Sequence, residues 1–259
     1  MYKTIHSKRT QHAISQERKF IIGYVLAGYK DETQFFETLT ICEEHHVDIL
    51  EIGYPSLHPY ADGSVISDAH KAVNFEKATS LEYWKQIRAH TDKPIWVMAY
   101  HEDFIASDVY KDFAKYRLVD ALVIPDADHQ TRLRLQQEVK ESGIDIIGFA
   151  NPHMDEDELS TVLSQFPLVY EQLYVGQTGT EQKEAMYQQM LGFTLEKYPH
   201  VICFGGFGLN TPQKIQQVLN DGFNGVVIGT ELIRQVNRSP RHLASFLKEV
   251  DEVKHDSSL

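Results

Sequence analysis

The stretch Asp48-Ile49-Leu50-Glu51-Ile52-Gly53-Tyr54-Pro55-Ser56-Leu57-His58-Pro59-Tyr60-Ala61-Asp62-Gly63 joins an apolar run to a polar, turn-rich segment. Residues 49–53 have the length and branched side chains of a buried strand. Side chains alternate faces along a strand, so Ile49, Glu51 and Gly53 share one face while Leu50 and Ile52 share the other. A carboxylate held among isoleucine and leucine costs several kcal/mol unless it is paired or protonated. Its position near the carboxyl end of the strand, just ahead of the loop 54–63, makes Glu51 a candidate acid/base group. The plainer alternative is a strand-end Glu that reaches water.

Outward from this strand, β-rich apolar runs recur along the whole chain. The strand candidates are Phe20–Leu26, Ile49–Gly53, Pro94–Ala99, Ala121–Pro125, Ile144–Phe149, Leu168–Val175, Val201–Phe204 and Gly225–Ile228. Amphipathic stretches alternate with them: Glu32–His45, Leu81–His90, Ser107–Tyr116, Gln130–Ser142, Asp155–Gln165, Glu184–Tyr198, Pro212–Asp221 and Arg241–Val253. Asp31 and the pair Thr211-Pro212 are helix-start signals, and Gly143 and Gly222 stand where helices should stop. Eight strands alternating with eight helices predict an α/β fold, a single-domain (β/α)8 TIM barrel over 1–259. Residues 1–18 read as a short N-terminal helix or arm, and 254–259 as a frayed tail. A doubly wound open sheet is the rival, but no Gly-x-Gly-x-x-Gly follows the first strand. In a barrel the catalytic groups sit after the strands, at the carboxyl-end face. Glu51, Asp62, Tyr100 and Asp126 all fall there.

The chain has 42% hydrophobic and 24% charged residues, an ordinary soluble composition. A net charge of −12 argues against nucleic-acid and anionic-membrane surfaces, which need clustered Lys and Arg. Small phosphorylated ligands stay open, because helix-start N–H groups hold phosphate whatever the overall charge. Cys42 and Cys203 read as buried free thiols, which suits a reducing cytoplasm. No stretch reaches the roughly eighteen apolar residues of a membrane helix, and the start lacks a signal-peptide core.

Three glycine-rich turns follow the last predicted strands: Gly176-Gln177-Thr178-Gly179, Gly205-Gly206-Phe207-Gly208 and Ile228-Gly229-Thr230. The last opens a short helix, Glu231–Val236. Taken singly, a glycine after a strand is a tight turn. Jointly, on this side of a barrel, they predict a phosphate cradle of backbone N–H groups from Gly179, Gly206, Gly208, Gly229 and Thr230. The Thr230 hydroxyl and the helix dipole would add to it. No Lys or Arg is needed in this scheme.

With these residues in place, the chain resembles the α subunit of tryptophan synthase, over roughly Phe20 to Val250. Glu51-Ile52-Gly53-Tyr54-Pro55 and Pro59-Tyr60-Ala61-Asp62-Gly63 are similar to the family run Glu-(Leu/Ile)-Gly-x-Pro-Phe-Ser-Asp-Pro-x-Ala-Asp-Gly-Pro. Ile124-Pro125-Asp126, Thr178-Gly179, Gly206-Phe207-Gly208 and Gly229-Thr230 support it. The resemblance implies reversible cleavage of indole-3-glycerol phosphate to indole and glyceraldehyde 3-phosphate, a lyase step of tryptophan biosynthesis. It gives Glu51 the role of general acid/base at indole C3, with Asp62 accepting the indole N–H. Tyr24, Tyr100 and Phe207 would face the ring, with Ile66, Met98 and Val123 as apolar wall. Barrel filling is the competing explanation for Met98 and Val123.

The resemblance implies no cofactor in this chain, since pyridoxal phosphate would belong to a partner β chain. Docking of that β chain rests on the loop where Ser56-Leu57-His58 replaces the family's Phe-Ser-Asp. Imidazole cannot accept the charge-assisted bonds of the Asp that His58 replaces. Three alternatives to the α-subunit reading therefore stay open. They are a stand-alone indole-releasing lyase, a paralogous lyase on another phosphorylated substrate, and a non-catalytic barrel that binds a phosphate ligand or a protein.

Other chemistries fit less well. His101-Glu102-Asp103 lies at the catalytic face but has no second cluster at metal-ligand spacing, so no metal is expected. Cys42 and Cys203 have no activating base in view. A Schiff-base aldolase would want Lys at the end of the sixth strand, which reads Tyr174-Val175-Gly176.

Overall fold

The structure is a computed structural model that describes residues 4–16, 19–174 and 187–257. Nine parallel strands form one sheet: β1 (Phe20–Leu26), β2 (Ile49–Gly53), β3 (Ile95–Met98), β4 (Ala121–Val123), β5 (Asp145–Ile146), β6 (Gly148–Ala150), β7 (Leu168–Gln172), β8 (Ile202–Gly206) and β9 (Gly225–Ile228). Their order is β5-β4-β3-β2-β1-β9-β8-β7-β6. The two edge strands are neighbours in the chain, separated only by Ile147, whose N–H donates to the Leu122 carbonyl at 3.0 Å. The sheet therefore returns on itself as a barrel. The single strand expected over Ile144–Phe149 is divided: Asp145 and Ile146 pair with β4, and Gly148–Ala150 pair with β7.

Strand alternation sorts the core into two layers. Phe20, Ile22, Ile49, Trp96, Ala121, Val123, Ile147, Leu168, Tyr170, Phe204 and Val227 fill the barrel interior. Their neighbours Ile21, Val25, Leu50, Ile52, Val97, Leu122, Val169 and Val226 pack outward under the helices. This period-two division is what a closed parallel sheet demands.

The helices, in chain order, are α1 (Lys8–Gln16), α2 (Glu32–Glu44), α3 (Ser64–Ala72), α4 (Phe75–Ala78), α5 (Leu81–His90), α6 (Val109–Tyr116), α7 (His129–Val139), α8 (Glu156–Leu163), α9 (Gln188–Lys197), α10 (Pro212–Asp221), α11 (Thr230–Arg238) and α12 (Pro240–Asp256). Polar caps set their starts. Asp31 accepts the Gln34 N–H at 2.8 Å, and Asp155 and Glu158 form a reciprocal capping box. Helices α3 and α4 were not anticipated. They are short and carry the chain from the β2 loop to α5.

Helix α1 closes the amino-end floor. Ser7 donates its hydroxyl to Asp120 at 2.8 Å, the His6 and Ser7 N–H groups reach Asp145, and Trp96 Nε1 donates to Thr10. Ile5, Ala13 and Ile14 pack against the barrel interior. At the other terminus the expected tail begins too early, because α12 runs on to Asp256. Lys254 is buried, and its Nζ meets Asp48 at 3.0 Å while Asp48 also accepts the Ile21 N–H. A buried ion pair of this kind holds that helical turn in place. Among the described residues, no helix is long and apolar enough to cross a membrane.

Candidate active site

The carboxyl ends of the strands surround a cavity of about 390 Å³. Glu51, Asp62, Tyr24, Ile66, Met98, Val123, Phe207, Gly208, Gly229 and Thr230 all line it. Strand parity accounts for Tyr24, Glu51, Met98 and Val123, and loops and helix starts bring the others. Glu51 pairs in register with Tyr24 on β1 and Trp96 on β3, and all three project inward. Glu51 is 4% exposed. Burial, followed by the nearby negative charge of Asp62, pushes its carboxyl up to about 8. At neutral pH it holds its proton.

Asp62 arrives from the loop after β2, just before α3. The Tyr100 hydroxyl donates to its Oδ2 at 2.7 Å and accepts the Ala61 N–H at 3.2 Å. His70, on α3, brings Nε2 to 3.7 Å from the same oxygen. That contact is dipolar rather than an ion pair. His70 Nδ1 accepts the Ser56 N–H at 3.0 Å, which requires a lone pair there, and burial lowers its pKa to about 4. A neutral imidazole with its proton on Nε2 therefore faces Asp62. The loop is pinned further along, where the Tyr60 hydroxyl donates to Asp126 at 2.5 Å and its ring packs on Tyr100.

Tyr100 thus stands behind the cavity wall. Strand β3 ends at Met98, which keeps the inward position, and two residues later the chain has left the strand. Gly206 also lies outside the lining. A Cβ at that position would stand 1.8 Å from the Tyr170 hydroxyl oxygen, so its bare Cα makes room for the Tyr170 ring. Gly208 does reach the cavity, with φ +76° next to Phe207 at φ +77°. Two consecutive left-handed residues turn the chain sharply after β8. Gly179 and the rest of its turn lie outside the described residues.

The lining also includes aromatic and charged groups that carry no motif in the sequence. Phe149 and Tyr170 stack at 5.2 Å between ring centres, and Tyr170 meets Phe207 edge-on. Inward parity on their strands was the available signal. Asn210, Lys214, Glu231 and Arg234 also face the cavity, and isolated polar residues in helix starts gave none. Among the described residues, no group of three or more His, Cys, Asp or Glu side chains could hold a metal ion.

A carboxyl that keeps its proton, a second one held by a phenol with an imidazole nearby, and a mouth lined by Gly208, Gly229 and Thr230 occupy one chamber. Comparison with known proteins points to a single family. The family profile "Tryptophan synthase alpha chain" matches residues 10–258. A tryptophan synthase alpha chain from Petrotoga mobilis is 26% identical over 247 residues, covering 92% of this chain and 94% of its own length. Its counterpart from Arabidopsis thaliana is 25% identical, covering 87% and 84%. Among solved structures, a tryptophan synthase chain of Mycobacterium tuberculosis superposes with a TM-score of 0.81 at 20% identity, covering 95% of this chain and 98% of that one. A Pyrococcus furiosus alpha-subunit gives 0.77 at 24% identity, covering 93% and 99%. The profile spans nearly the whole barrel, and the chain belongs to the tryptophan synthase alpha chain family.

Proposed function

We propose that this chain cleaves indole-3-glycerol phosphate to indole and glyceraldehyde 3-phosphate, with Glu51 and Asp62 as the proton-handling pair. The observation that carries the reading is the placement of both acids in one chamber with Gly208, Gly229 and Thr230. Carbon–carbon cleavage needs the indole ring to accept electrons, so C3 must first be protonated. Glu51, protonated at neutral pH, supplies that proton. Asp62, oriented by the Tyr100 hydroxyl, accepts the indole N–H and stabilises the positive charge that develops on the ring. The Glu51 carboxylate left behind then takes the proton of the hydroxyl on the carbon bound to C3. The C–C bond breaks, its electron pair returns to the ring, and an aldehyde forms. Glu51 ends protonated, as it began.

The phosphate of the glycerol arm sits at the turns after β8 and β9, where α11 begins at Thr230. Phe149, Tyr170 and Phe207 supply flat apolar surface for the ring. The same reading includes a β-chain partner at the carboxyl-end rim. Leu57 and Tyr60, 66% and 60% exposed, stand on the loop that carries Asp62, and exposed apolar side chains beside a site suit an interface. Pyridoxal phosphate would belong to that partner.

The test is an indole assay with indole-3-glycerol phosphate, run with and without a tryptophan synthase β chain. Wild type should release indole, Glu51→Gln and Asp62→Asn should each lose at least a hundredfold, and β chain should co-elute and raise turnover. Full activity of Glu51→Gln would sink the assignment. No co-elution and an unchanged rate would leave a solitary lyase.

A further inference from the structure

The anion end of the chamber carries more charge than a cradle of backbone amides requires. Lys214 and Arg234 line the same chamber as Gly208, Gly229 and Thr230, Lys214 six residues after Gly208 and Arg234 four after Thr230. Lys214 lies in the first turn of α10, where no acidic residue accompanies it. The field at a helix start opposes a cation there. A lysine so placed gains from an anion across the cavity and from nothing in its own helix.

Arg234 enters from α11, one turn beyond Thr230. Its Nη1 is 3.4 Å from Glu231 Oε2, and the other Glu231 oxygen accepts Gln235 Nε2 at 2.6 Å. Glu231 is buried, so it is a fixed post against which the guanidinium is set. Arginine has five N–H donors, and this contact occupies one nitrogen. Besides Glu51, which keeps its proton, the chamber also holds the Asp62 and Glu231 carboxyls. A phosphate dianion entering beside them meets repulsion that amide dipoles alone offset poorly, whereas two cations offset it directly.

We propose that Lys214 and Arg234, the latter aligned by Glu231, are side-chain ligands of the substrate's phosphate group, so this chain binds its anion by charge pairing as well as by backbone amides. The proposal rests on the phosphate-ester reading above and adds the groups that select a phosphate over an uncharged or singly charged terminus. Glu231 is a positioning residue in this scheme, and the two cations are binding residues.

The experiment is calorimetric titration of wild type, Lys214→Met and Arg234→Met with glycerol 3-phosphate, with glycerol as uncharged control, at low and high salt. Thermal melts check that each variant folds. Indole release from indole-3-glycerol phosphate is followed in parallel. Each variant should bind glycerol 3-phosphate about tenfold more weakly or worse, the usual scale for a lost hydrogen bond to a charged group. Its binding should respond less to salt, and KM should rise with kcat nearly held. Wild-type affinity in both variants, or no binding of glycerol 3-phosphate by wild type, overturns the assignment. Binding that depends on both cations while wild type makes no indole would sink the lyase reading and leave the anion site standing.

Discussion

Glu51→Gln should make the protein more stable, by an amount that grows with pH. The Glu51 carboxyl titrates near 8 when folded, against 4.5 for a free side chain. The folded state therefore binds a proton more tightly than the unfolded state. Stability is undiminished below pH 4.5 and falls as pH rises from there to 8. At about 1.36 kcal/mol per pH unit, the penalty is about 1 kcal/mol at pH 5, about 3 at pH 7 and close to 5 at pH 9. Glutamine has nearly the same shape and cannot ionise, so the variant escapes this loss. The assay is urea unfolding of both proteins at the three pH values, comparing the slope of the difference rather than its offset. A difference that stays flat from pH 5 to 9 would mean Glu51 titrates as an ordinary carboxylate. It would then arrive ionised at neutral pH and could not protonate a carbon.

Two further substitutions probe the walls. Gly206→Ala should destabilise the fold by about 1–3 kcal/mol, the usual range for overpacking, because the new methyl would stand 1.8 Å from the Tyr170 hydroxyl oxygen and 2.4 Å from the ring carbon that bears it. Trimming the ring with Tyr170→Leu in the same chain should recover much of that loss, a coupling that chemical denaturation of the four proteins would measure. Tyr100→Phe should reduce kcat about tenfold with KM nearly unchanged, since it removes the donor that orients Asp62 while leaving the phosphate turns intact. Steady-state kinetics settle it, and wild-type kcat would show that Asp62 needs no such support.

The barrel was legible because its strands are short, apolar and evenly spaced. The parity of Ile49, Glu51 and Gly53 alone places one acid inward. Asp62 followed from its family motif, since a loop residue has no periodicity from which to read a direction. Tyr100 shows the limit of strand-end reasoning. It follows β3 by two residues, but the strand has ended, and its ring supports Asp62 instead of facing the chamber. Gly206 is a similar case, because a glycine that yields space to a neighbour and one that offers its N–H to a ligand look alike in sequence. His70 was missed because its partner Ser56 lies fourteen residues away, across a loop whose path no local propensity specifies. Lys254 was assigned to a loose tail because its counterion, Asp48, lies 206 positions earlier.

The plug made by α1 has a consequence for mutagenesis. With Ser7, Thr10 and the Asp120 and Asp145 carboxylates knitting the amino-end floor together, the floor serves the fold while the chamber lies at the opposite rim. Changes to that floor should therefore register in stability before they register in turnover.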